Sequence, residues 1–356
     1  MLRSFLLAFL TALAVASSAY AQQARVSGEV VDAQTRLPLV GANVEIASTT
    51  LGVSTSDAGQ FSLRVPAPGV VRLIASSIGY ESSVTHVPLA AGDSVRVEIV
   101  LAPAVRTLSD VVVSAADASE WQQTLAYASA ILLGGSPNGQ AAVLDNPEVL
   151  ALSNEDGVLE ATGEAPLVVR NERTGYALTL HNLSLVATST GWGWNAFVAF
   201  DEICDGACSA AVERVRQAAC EGSLRHFLRA MAEGQLGAEE FDALLVRGPG
   251  AGPGPPAFLR RLLGLYEPRP PTVRATPLGW EVDIDRALAV TYRGEEDGRP
   301  GHSGPQESWI TVEGETLRFG ADGSLSEPER VVRWGYWDWE RVGDLVPPSA
   351  CAGHGS

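Results

Sequence analysis

The 356-residue chain carries 42 Asp plus Glu against 25 basic residues, a formal net charge of −17, and every basic residue is Arg. An acidic balance with no basic run excludes nucleic acid as a partner. A hydrophobic content of 46% in a chain long enough for two domains excludes general disorder and allows a sizeable core.

Arg3 precedes the apolar run from Phe5 to Val15, and Ala19-Tyr20-Ala21 places small residues at the two positions a signal peptidase reads. Residues 1–21 therefore read as a signal peptide cleaved before Gln22. The run is too short to span a bilayer, and no later stretch approaches the roughly 20 consecutive apolar residues of a membrane helix. No Cys follows the cleavage point to carry a lipid. The mature chain is expected to have no transmembrane segment and to be exported, whether periplasmic, associated with the cell envelope or secreted.

Residues 24–103 alternate short apolar segments with turn chemistry. Val26–Val31, Ala42–Ala47, Gly59–Val65, Val70–Ser76 and Ser94–Leu101 read as strands. Asp57-Ala58-Gly59 is a turn, and Pro38, which lacks a donor, belongs at an edge or in a loop. The spacing predicts a small antiparallel β-sandwich.

The pattern Gly28-Glu29-Val30-Val31-Asp32, Pro38-Leu39-Val40-Gly41-Ala42-Asn43-Val44, Thr55-Ser56-Asp57-Ala58-Gly59-Gln60-Phe61 and Ile78-Gly79-Tyr80 closely resembles the carboxypeptidase regulatory-like domain. The resemblance implies a seven-stranded, transthyretin-like sandwich that is itself non-catalytic. None of the five His residues has a Glu three positions later, so the zinc-ligand motif of the peptidases that this module accompanies is missing. Leu108–Ala115 is similar to the junction behind this module in TonB-dependent receptors, but the chain lacks the many strands of their membrane barrel.

Residues 104–120 read as a linker, and 121–348 as a second, mixed β/α domain followed by a tail at 349–356. Trp121, Ile131–Ser136, Asp145–Leu150, Ala165–Val169, Gly222–Ala230 and Gly335–Pro347 resemble a second region of uncharacterised exported proteins of Bacteroidota type. The fold class is thus mainly β with some α. Residues 118–133 read as a helix and 148–200 as strands. A two-part helical segment covers 209–233, with Ser223 as N-cap and a core stripe of Leu224, Phe227, Leu228 and Met231. Gly and Pro dominate 248–256, a short helix is expected at 257–265, and Pro268–Pro271 adds a rigid stretch. Trp280–Ile284, Ala287–Tyr292, Ser308–Val312 and Glu315–Phe319 resume the strands.

Cys204, Cys208, Cys220 and Cys351 would form one or two disulfides after export, in one of three pairings. A metal site on Cys204, Cys208 and Cys220 is the alternative, disfavoured because no nearby His completes a zinc-like spacing. Trp334, Tyr336, Trp337 and Trp339 form the densest aromatic cluster. They either fill the core from alternate positions of an extended segment, the preferred reading, or stack on sugars or peptide side chains as a binding surface. Trp192 and Trp194 invite the same two readings. No catalytic, cofactor-binding or metal-binding residues are assigned. The expected function is a non-enzymatic binding or assembly module whose partner is a protein or glycan of the cell envelope. The alternatives are an accessory to an outer-membrane TonB-dependent uptake or signalling system, and a hydrolase with an unrecognised centre, which would require His226 or His302 to converge with carboxylates in a cleft.

Overall fold

The computed structural model describes residues 24–66, 68–104, 115–189, 191–248 and 267–351. The signal peptide, most of the linker, the Gly/Pro stretch from 249 with the helix expected after it, and residues 352–356 lie outside these. The chain is mainly β, and residues 24–101 supply seven strands. These are β1 (Ala24–Asp32), β2 (Asn43–Ile46), β3 (Gly52–Ser54), β4 (Gln60–Val65), β5 (Gly69–Ser76), β6 (Ser83–Leu89) and β7 (Ser94–Leu101). Two sheets, ordered β4-β1-β7 and β3-β2-β5-β6, enclose a core that includes Val26, Val44, Leu73, Leu89 and Leu101. One pairing departs from the all-antiparallel expectation: β1 and β7 run parallel, from Arg25 opposite Ser94 to Asp32 opposite Leu101. A parallel pair cannot be closed by a tight hairpin, and β2 to β6 supply the long connection it needs.

The signature residues are structural. Asp32 accepts hydrogen bonds from the backbone N–H groups of Gln34 and Thr35 at 2.7 Å each, and from the Tyr80 hydroxyl at 2.7 Å. Gly59 has φ 69°, and a Cβ there would meet the Pro38 side chain at 2.7 Å, so the turn requires a residue without one.

The chain then forms α1 (Ala115–Leu133), a short α2 (Pro137–Ala141) and a second sheet system. Its strands are β8 (Val143–Leu144), β9 (Leu150–Glu155), β10 (Val158–Gly163), β11 (Leu167–Asn171), β12 (Tyr176–Thr188) and β13 (Gly191–Glu202). The long β12 pairs β13 along one edge, and β11 then β10 along the other. The register shifts between His181 and Ser184, where Asn182 takes φ 54°. Asn146 fastens this sheet's entry by accepting from Val168 N–H at 2.7 Å and donating to Pro166 carbonyl at 3.0 Å. Leu132, Leu159, Leu167, Leu178 and Leu180 fill the core beneath α1.

Two helices follow, α3 (Ala210–Cys220) and α4 (Leu224–Glu233). Ser223 caps α4, accepting from His226 N–H at 3.2 Å, and Gly234 closes it in the left-handed region. Leu224, Phe227, Leu228 and Met231 are buried, as their one-face spacing predicts. They pack on the last sheets, built from β14 (Phe241–Val246), β15 (Val273–Thr276), β16 (Gly279–Asp283), β17 (Ala287–Glu296), β18 (Pro305–Val312), β19 (Thr316–Phe319) and β20 (Val331–Gly335). The orders are β14-β17-β18-β20 and β15-β16-β19. No helix among the described residues is long and apolar enough to cross a membrane.

The aromatic segment is not extended throughout. β20 ends at Gly335, φ 80°, and Tyr336–Trp339 form one helical turn, α5. Consecutive residues Tyr336 and Trp337 are therefore buried, where an extended chain would have buried alternate ones. The segment 348–351 is likewise a 3-10 turn anchored by the buried Cys351.

Candidate functional site

The sheet systems meet at one place. The β2–β3 turn of the sandwich docks on β13: Ser48 N–H donates to Val198 carbonyl at 2.6 Å, and Phe200 N–H donates to Thr49 carbonyl at 3.1 Å. Ala47, Ile74 and Ala199 form a small apolar contact below it. From β5, Arg72 reaches the last sheets and donates to Leu325 carbonyl at 3.1 Å. The C-terminal segment laces the other side. Asp344 accepts from Ser136 Oγ at 2.7 Å and Asn138 Nδ2 at 3.1 Å, and Cys351 is bonded to Cys220. Arg229 donates to Cys351 carbonyl at 2.6 Å.

A cavity of about 220 Å³ lies at this junction. The sandwich contributes Arg72, β13 contributes Trp194, the first turn of α4 contributes Arg225, and the C-terminal segment contributes Arg333, Trp337 and Glu340. Arg72 and Arg225 are close enough for their charges to oppose one another, and Asp322 attracts both. Burial, the largest influence, pushes the Arg72, Arg225 and Arg333 guanidiniums down from their ordinary range. Burial raises Glu340 well above the usual carboxylate range, with the Asp344 charge adding to it and Arg333 opposing it. Gly323 closes the wall at φ 74°, where a Cβ would run into the Arg225 backbone carbonyl.

Two residues that line the cavity each carry a donor with no hydrogen-bond partner among the described residues: Arg225 Nη1 and Trp194 Nε1, both shielded from solvent. A buried donor left unpaired costs about 1–3 kcal/mol. The site therefore combines buried positive charge with unused donor capacity in a protein that is acidic as a whole.

The aromatic cluster divides around the cavity. Trp337 lines it and donates through Nε1 to Gly222 carbonyl at 2.7 Å, while Tyr336 packs against Trp339 at 5.5 Å and Trp334 sits opposite Trp309 across β18 and β20. Trp192 lies under the Arg341 guanidinium at 3.8 Å. The cysteines pair as Cys204 with Cys208 and Cys220 with Cys351, Cα atoms 5.3 and 5.5 Å apart. The alternative of one metal held by Cys204, Cys208 and Cys220 is thereby overturned: Glu202 does lie beside Cys204 and Cys208, but both sulfurs are bonded to each other and Cys220 is bonded elsewhere.

His226 and His302 do not converge. His226 Nδ1 accepts from Gly222 N–H at 3.2 Å, its Nε2 meets Glu239 Oε2 at 3.3 Å, and Phe241 and Tyr292 pack edge-on at 4.9 and 5.8 Å. This is a buried joint between α4 and its sheet, outside the cavity. His302 is exposed at a turn, 3.3 Å from Pro300 carbonyl. The residues that the sequence reading missed, Arg72, Arg225, Arg333 and Glu340, have no mutual spacing. Their only signal is local, since Arg225 lies in the Gly222–Ala230 segment and Glu340 in the Gly335–Pro347 segment singled out above.

Residues 26–113 match the family model of the CarboxypepD_reg-like domain, so the N-terminal sandwich is a carboxypeptidase regulatory-like domain. No curated protein matches the chain. Among solved structures, catechol 1,2-dioxygenase from Acinetobacter sp. ADP1 is similar over 26% of this chain and 58% of its own, at 13% identity and TM-score 0.22. A cohesin–X-dockerin complex from Acetivibrio cellulolyticus is similar over 28% and 73%, at 19% identity and TM-score 0.21. A protein of unknown function from Bacteroides fragilis is similar over 52% and 84%, at 14% identity and TM-score 0.19. The chain spans less than two thirds of the dioxygenase's length, and at these scores none of the three bears on activity.

Proposed function

We propose that the chain is an exported, non-catalytic binding protein of the cell envelope, whose junction cavity receives part of an envelope protein or glycan. One observation carries this reading: one cavity draws Arg72 from the sandwich, Trp194 from β13, Arg225 from α4 and Arg333 from β20, and Arg225 and Trp194 each carry an unpaired donor. Binding modules need such a preformed, polar, shaped recess, whereas hydrolysis also needs a nucleophile and a base held together. The two disulfides agree with an oxidising compartment, and the leader-like residues 1–21 agree with export.

Affinity capture from the native envelope tests the reading. A photo-crosslinking residue at Ser48, on the cavity rim, replaces amine-directed reagents, which have no Lys to attack. Reproducible capture of one envelope component, lost when the crosslinker is moved to Asp57 on the far turn of the sandwich, is the expected result. Capture of nothing from the envelope, together with turnover of an ester or glycoside that disappears in Glu340→Gln, would replace it with the hydrolase reading.

A further inference from the structure

We infer that the junction cavity is a binding site for the carboxylate of a small organic acid, held by Arg225, Arg333 and the Trp194 indole N–H. The inference rests on the cavity being the site of binding and supplies the chemistry of its occupant.

Charge and donor capacity set that chemistry. Arg72, Arg225 and Arg333 all line the cavity, and Arg72 and Arg225 repel one another across the contact between the sandwich and the last sheets. Asp322 attracts both, Glu329 also attracts Arg72, and Asp338 and Glu340 attract Arg333. Arg225 Nη1 nonetheless has no partner, and a guanidinium presents its donors in a planar fork that matches a two-oxygen acceptor. Trp194 Nε1 can only donate, so its unused capacity also calls for an acceptor. Ser223, Leu224 and Arg225 bring the N-terminal turn of the ten-residue α4 to the same wall, and the positive end of that helix favours negative charge.

Size and the remaining charges select among anions. A cavity of about 220 Å³ is smaller than the ~300–1,000 Å³ of clefts that enclose drug-sized ligands, so it takes a head group or a small acid. Glu340 and Asp344 also line it, and their repulsion grows with the ligand's charge, so a single charge is penalised less than two. A carboxylate therefore fits better than a phosphate dianion. Leu224, Val198 and the Trp337 ring provide apolar surface for the acid's carbon skeleton.

Calorimetric titration of the full oxidised protein with glucuronate, acetate, glucose and inorganic phosphate tests this. Glucuronate should bind, acetate more weakly, and glucose, the neutral counterpart, should give no heat. Arg225→Gln and Trp194→Phe should each weaken glucuronate binding about tenfold or more, the loss expected for a charge-assisted or buried hydrogen bond. Should Arg225→Gln fail to fold, Arg333→Gln together with Trp194→Phe decides the matter. Equal heats for glucuronate and glucose, tighter binding of phosphate than of either acid, no binding by any carboxylate, or variants that bind as the parent does would each overturn the assignment. Envelope capture through Ser48 that persists alongside such a failure would remove the carboxylate chemistry alone and leave the binding-protein reading standing.

Discussion

The Tyr80 hydroxyl donates to the Asp32 carboxylate at 2.7 Å, joining two motifs that are 48 residues apart in sequence. Asp32 ends the strand β1, Tyr80 follows the Ile78-Gly79 turn, and the bond fastens that turn to the end of the sandwich. A motif that could have marked a ligand is thus explained by folding.

Acid should reveal that joint. Backbone donation from Thr35, then the Tyr80 bond, holds Asp32 at about 2 against an ordinary 3.8. Because the folded value is depressed, the stabilisation is complete above pH 3.8 and disappears as pH falls toward 2. Tyr80→Phe should lower the Tm at pH 7, and its effect should shrink in an Asp32→Asn background, measured by thermal melts of the double-mutant cycle.

A second pH response comes from His181, at the bulge in β12. Burial pushes it down to about 4 from 6.5, with Ser82 Oγ 2.9 Å from Nδ1 and Glu45 Oε2 3.9 Å from Nε2. The unfolded chain takes up a proton that the folded chain resists, so stability present above pH 6.5 is lost on descent to pH 4 and changes no further through this group below that. The loss from His181 alone is about 3 kcal/mol. Glu45, raised by burial and by Asp201, opposes it in part. Urea midpoints between pH 4 and 7 should slope for the parent and flatten for His181→Gln.

Phe227 is fully buried between Phe241 and Trp337, ring centroids 5.4 Å away in each case. Phe227→Ala should destabilise by about 3–5 kcal/mol in equilibrium unfolding. Because Trp337 rests on this ring and lines the cavity, the variant should also weaken any ligand there; an unchanged affinity would show the two to be uncoupled.

Removing the Cys220–Cys351 bridge by the double Ala variant should cost about 2–5 kcal/mol, since it closes a long loop. The Cys204–Cys208 bridge spans a separation of only 4 and should contribute less. Thermal melts of the two double variants, compared with the parent, rank them.

Arg216 is 4% exposed, donates to Thr174 and Gly175 carbonyls at 2.7 and 3.2 Å, and lies 4.0 Å over the Tyr176 ring. Arg216→Met keeps the stem but leaves the Thr174 carbonyl without its donor, while the Gly175 carbonyl still accepts from Ile203 N–H at 3.0 Å. It should destabilise by about 1–3 kcal/mol for that one carbonyl, read from chemical denaturation.

The sandwich was legible because its signals are local: alternation sets each strand and Gly59 sets its turn. The strands that went unread explain themselves. β3 is three residues long with no buried position, and β6 contains Pro88, which its place on a sheet edge tolerates. Ser223 disclosed α4 through its capping chemistry. The turn of α5 was hidden because a run of aromatics has no helical period over four residues, and only the backbone at Gly335 redirects it. The cavity was not legible at all, since Arg72, Arg225 and Glu340 meet only after three sheet systems have docked.

The bridge from Cys220 to Cys351 makes α4 and every strand from β14 to β20 part of one covalent ring. A protease that cuts once between those cysteines releases nothing: the nicked protein keeps its mass on a non-reducing gel and separates into two bands only when a thiol is added. A single cut before Cys220, outside the ring, separates the fragments without any reductant unless it falls between Cys204 and Cys208.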